Sequence, residues 1–103
     1  MEISGSAAIE RMRNLKKVPN ATFGLIFITC DLNRKEHGQI RKYERCRLRA
    51  AMVDEALAVS SDHYLYFEDM DTEQPRQCFK KLVRWVCFPP SNEWLKVNWF
   101  NGD

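Results

Sequence analysis

Among its 103 residues the chain has two histidines, four glycines and four prolines. Its four cysteines, Cys30, Cys46, Cys78 and Cys87, include no CxxC pair. Metal centres ordinarily draw on Cys or His clustered at short spacing, so no metal is expected and the cysteines are read as buried packing residues. Asp69, Asp71 and Glu73 alternate as the ligands of a calcium loop do, but the central glycine and the closing bidentate glutamate are missing. Turn chemistry explains them. No nucleophile elbow is present, and no pattern around a cysteine marks a reactive thiol. An Asp62–His63–Cys arrangement can be drawn, yet an ordinary surface histidine accounts for His63, and the second histidine, His37, sits in a polar connector. The expectation is a protein that is not an enzyme and takes no cofactor.

Long apolar runs are also lacking, as are a charged leader followed by an apolar stretch, any internal repeat and any low-complexity tract. These absences lead to the expectation of a cytoplasmic protein that makes no membrane contact and keeps its thiols reduced. A bridge between Cys30 and Cys46 is geometrically permitted, but that compartment argues against it.

What is present is apolar material and segregated charge. Hydrophobic residues make up 45% and aromatics 12% of the chain, enough to fill a core, and the length is that of a single domain over 1–103. The net charge of +2 conceals three blocks. Residues 21–49 hold seven Lys/Arg against three acids, residues 50–75 hold seven acids and no Lys or Arg, and residues 76–103 hold five basic against two acidic. Neighbouring blocks of opposite sign are the pattern of internal complementarity.

Residues 1–8 are small and polar and read as frayed. Ile9, Met12 and Leu15 have helical spacing, so a short helix near 9–17 is expected, ended by Pro19-Asn20. Residues 22–30 are apolar on both faces, as a central strand requires, and Gly24 within them marks a bend or a close backbone approach. Residues 39–48 alternate. A polar connector with Asp31, Asn33 and Gly38 makes the two segments a strand–loop–strand unit. A further helical segment is expected near 50–58, with Met52, Val53, Ala56 and Leu57 inward, then a strand from His63 to Phe67 and a turn over 69–75. Residues 76–88 fit two periods: an amphipathic helix, or a strand over 76–79 running into a helical or 3-10 turn near 80–87. Pro89-Pro90 stop that segment, and Trp94 to Phe100 supply the last strand, with Leu95, Val97 and Trp99 on one face. The sum is a mainly β protein, a small antiparallel barrel of SH3-like form. An α+β open antiparallel sheet with an amphipathic helix at 75–87, or an OB-like barrel, are the alternatives.

Strict alternation puts Arg41, Tyr43, Arg45, Arg47 and Arg49 on one face of the second strand. Such a face can follow a phosphate backbone with the tyrosine stacked on a base. The plainer reading is a solvated edge strand, or pairing with the acidic block. Trp85, Trp94 and Trp99 cluster late in the chain. They are core residues by default, and interface anchors where exposed.

The string Phe23-Gly-Leu-Ile-Phe-Ile-Thr-Cys-Asp, with Arg34-Lys-Glu-His-Gly and then Arg41-Lys-Tyr-Glu-Arg, resembles a group of small β-rich proteins carried by bacterial prophages and mobile elements. Those share a Phe-Gly/Ser-Ile-x-Phe-x-Thr strand, a basic turn with Gly-Gly and a following tyrosine; here His37 replaces the first glycine. The resemblance covers residues 22–45 and implies a small β-rich domain of mobile-element setting, without carrying over functional residues. Two functions follow as expectations: a non-enzymatic binding or assembly module that contacts another protein or itself, and a weak nucleic-acid-binding barrel using the arginine strand.

Overall fold

The computed structural model describes residues 1–29, 38–57 and 61–99. Seven strands form one sheet: β1 (Glu2–Ser4), β2 (Phe23–Ile28), β3 (Ile40–Leu48), β4 (Tyr64–Asp69), β5 (Gln74–Phe79), β6 (Val83–Phe88) and β7 (Glu93–Asn98). Their spatial order is β1-β7-β6-β2-β3-β4-β5, antiparallel throughout except for the parallel β1–β7 pair. A helix, α1 (Gly5–Lys16), covers one face, and a single-turn helix, α2 (Val53–Ala56), follows β3.

The N-terminus is ordered, against the expectation of fraying. Glu2, Ile3 and Ser4 pair with Lys96, Val97 and Asn98. Ser4 then caps α1, its Oγ accepting the Ala7 N–H at 3.2 Å. The small residues serve close packing. A Cβ on Gly5 would collide with the Trp99 ring, and Ala8 is buried against the sheet. Ile9 and Met12 are buried and Leu15 packs beside them, as their spacing predicts.

β2 is the central strand, with β6 on one side and β3 on the other. Its Phe23, Leu25 and Phe27 enter the core, leaving Gly24, Ile26 and Ile28 on the opposite, outer face. The β2–β3 pairing is the expected strand–loop–strand unit; most of its connector, with Cys30 and His37, lies outside the described residues. Fully buried Phe23, Phe67, Phe88, Met12 and Leu25 dominate the core. Phe27, Tyr43 and Phe67 add an aromatic triad with centroids 5.6–5.9 Å apart.

The sheet does not close. Closure would have to join β5 to β1, but β1 has three residues and β5 carries Pro75, which has no N–H to donate. The barrel expectation, SH3-like or OB-like, gives way to an open sheet with a helix on one face.

Residues 76–88 are not a helix. β5 ends at Phe79, a 3-10 turn spans Lys80–Leu82, and β6 follows. The helical period has a specific origin. Ile26 pairs with Trp85 while Phe27 pairs with Val83, so a bulge adds one residue to β6. The bulge places Val83 and Val86, three apart, on the same buried face, which imitates i, i+3 spacing.

The 50–58 segment also departs from expectation. α2 buries no residue, and Met52, Val53 and Leu57 are 50%, 75% and 79% exposed rather than inward. A hydrogen-bonded ion pair, Arg49–Glu55, tethers this turn. The turn expected over 69–75 is narrower, residues 70–73 between β4 and β5, and buried Asp69 accepts hydrogen bonds from the Asp71 N–H and the Thr72 hydroxyl, both at 3.1 Å.

Candidate interaction surface

The arginine strand is not one face. Phe23 pairs with Cys46 and Leu25 with Tyr43, so β3 carries an extra residue between them, a bulge at 44–45. Side chains change sides there. Tyr43 turns into the core, stacked on Phe27 and edge-on to Phe67, instead of offering a ring to a ligand. Cys46 follows it inward, while Arg45, Arg47 and Arg49 take the other side.

Three of the four arginines are engaged. Arg49 donates to both carboxylate oxygens of Glu55 (2.7 and 3.0 Å) and to the carbonyls of Phe67, Arg76 and Ala50 (2.9–3.2 Å). It also lies over the Tyr66 ring at 5.5 Å. Glu55 additionally accepts the Met52 N–H at 2.8 Å, the reach-back of an N-terminal capping box. The Arg49 hydrogen bonds, and then the Met52 N–H, hold the Glu55 carboxyl down at about 2. Arg47 donates to the carbonyls of Lys16, Val18 and Ala21 (2.6–3.1 Å), tying the end of α1 to the sheet. Arg45 makes only an exposed 3.4 Å pair with Asp71. Arg41 is exposed and has no ion pair or hydrogen bond among the described residues. The complementarity of the charge blocks is thus realised in Arg49–Glu55 and Arg45–Asp71.

The tryptophans divide as well. Trp99 is structural: its indole N–H donates to the Val83 carbonyl at 2.9 Å and its ring rests on Gly5. Trp85 and Trp94 stand on the outer face of the sheet. Cross-strand register aligns Glu2, Lys96, Trp85, Ile26 and Lys42 in one row over five strands. Beside it, Trp94 lies across Gly24, where a Cβ would meet the ring at 2.7 Å, and Lys42 sits above that ring at 5.2 Å. Lys42 also pairs with Glu44 at 3.7 Å.

This face is apolar in its middle and charged at its edges. Trp85 is 39% and Ile40 is 73% exposed, with half-buried Ile26, Ile28, Cys87 and Trp94 between them. Helix α1 packs on the other side, and no described element covers this one. Sequence reading named Trp85 and Trp94 but missed Ile26, Ile28, Ile40, Lys42 and Lys96. The available signal was the two-faced apolarity of β2 around Gly24.

None of the described cysteine thiols is lowered. Burial pushes the Cys78 thiol up to about 12 and raises those of Cys46 and Cys87. His63 is exposed at the start of β4, and among the described residues no group of three or more His, Cys, Asp or Glu could hold a metal ion. Among the described residues no helix is long and apolar enough to cross a membrane. The chain matches no family model, no curated protein and no solved structure.

Proposed function

We propose that the protein is a non-enzymatic binding or assembly module whose contact surface is the outer face of β2, β3, β6 and β7. The observation that carries this is Trp85, an exposed tryptophan amid aliphatic side chains and bounded by Lys42, Lys96, Glu44 and Glu2. A dry centre with a charged rim is the anatomy of a protein–protein contact, and tryptophan is the residue most enriched at its energetic centre. The partner is another protein or a second copy of the chain. A cytoplasmic setting agrees with the free thiols of Cys46, Cys78 and Cys87. A small assembly part also suits the mobile-element setting that residues 22–45 suggest. Recognition of nucleic acid through the arginine strand has less support, since only Arg41 and Arg45 remain at the surface.

Light scattering coupled to gel filtration tests the self-association form. The expected result is a mass that rises above 12.2 kDa with concentration and returns to it in Trp85→Glu. A strict monomer whose tryptophans are all shielded from acrylamide quenching overturns the proposal.

A further inference from the structure

The end of the sheet where β5 turns into β6 is unused by the surface above. Two hollows open there, of about 460 and 530 Å³, and both are walled by Lys81 and Trp99. The first also takes Arg84, Lys96, Asn98 and Glu2. The second takes His63, Phe79 and Lys80, with Asp62 at its edge. Each has the size of a small-molecule site.

Three features give the hollows a chemistry. The Trp99 ring is immobilised, by its hydrogen bond to Val83 and by contact with Gly5, so it forms a rigid plate between the two. Arg84 is oriented, one guanidinium nitrogen donating to the Lys81 carbonyl at 2.7 Å, which leaves its other donors for a ligand. In the first hollow three cations, Lys81, Arg84 and Lys96, accompany one acid, Glu2, and none of the three is in an ion pair among the described residues. Phosphate is the anion that converging Arg and Lys donors match, and an aromatic plate beside them matches a planar ring.

We infer that the first hollow binds a small aromatic monophosphate, of the size and chemistry of a nucleoside monophosphate. Its phosphate meets Lys81, Arg84 and Lys96, and its ring lies along Trp99. The hollow shares Lys96 and Glu2 with the rim of the sheet-face surface, while Lys81, Arg84 and Trp99 lie outside it.

Calorimetric titration of the full chain with adenosine monophosphate, adenosine and inorganic phosphate, at low and high salt, tests it. The monophosphate is expected to bind, more weakly at high salt, and each separated half to bind at least about tenfold more weakly. Lys81→Ala, an exposed position that leaves folding intact, is expected to weaken binding about tenfold, and Arg41→Ala, on β3 and away from the hollow, to leave it unchanged. Absence of binding at millimolar ligand overturns the inference. So does phosphate alone binding as well as the monophosphate, or Lys81→Ala binding as tightly as the parent.

Discussion

Two cation-bearing regions lie within one sheet and behave in opposite ways. The C-terminal half of β3 and the residue after it carry Arg45, Arg47 and Arg49, and the last two are half-buried and held by carbonyls and Glu55. The outer face of β6 and β7 carries fewer cations, but Lys96 and the Trp85 ring beside it remain at the surface. Density of charge along a strand therefore says little about where a surface is. What decides is whether the neighbouring backbone leaves acceptors in need of a donor. The end of α1 and the paired strands β4 and β5 do so next to Arg47 and Arg49, whereas the Val83 carbonyl near Trp85 is already taken by the Trp99 indole.

That contrast is sharpest in stability. Arg49→Ala removes the donor to Glu55 and to three carbonyls, and is expected to cost about 3 kcal/mol in urea unfolding. Arg47→Ala, which unties the end of α1, is expected to cost about 1–2 kcal/mol, with loss of helical signal on heating before the sheet melts. An Arg49→Ala protein as stable as the parent would erase the distinction between the two regions.

Acid probes the same latch without a change at Arg49. The Glu55 carboxyl is held at about 2 in the fold, against its ordinary 4.5. A depressed carboxylate contributes fully above the ordinary value, and its contribution is lost as the pH falls from 4.5 toward about 2. The stability gap between the parent and Glu55→Gln should thus be constant above about pH 5 and close across that window. A gap that does not vary with pH would show that Glu55 is not the latch.

The open face should respond in the reverse sense. Trp85→Ala is expected to change stability by less than about 1 kcal/mol, because the ring is already 39% exposed, while abolishing any concentration-dependent association. The smallest effects belong to the free end of the arginine strand. Arg41→Ala, and Arg45→Ala with its exposed 3.4 Å pair, are each expected to stay within about 0.5 kcal/mol of the parent.

Much of this was legible from particular residues. Phe23 to Ile28 announces a central strand by being apolar on both faces, Ile9 and Met12 announce a helix by their spacing, and Asp69 with Pro75 announces a turn. Two of the failures share one physical cause. A bulge shifts the side-chain parity of a strand by one, so the alternation at 41–49 named a face that does not exist, and Val83 and Val86 passed for helix. The N-terminal strand was hidden for another reason. Three residues are too few to display a period, and Gly5 and Ala8 look like linker until Trp99 and the sheet are set against them.

The sequence by itself determined a mainly β protein, its central strand, its α1 helix and a charge distribution that asks for internal pairing, because these follow from period and composition along a local stretch. Only the tertiary structure decided that the sheet stays open, that Tyr43 is core while Trp85 is surface, and which arginines are held. Those outcomes depend on strand register and on which backbone groups are left unpaired once distant segments meet, and neither is written in any local window of the chain.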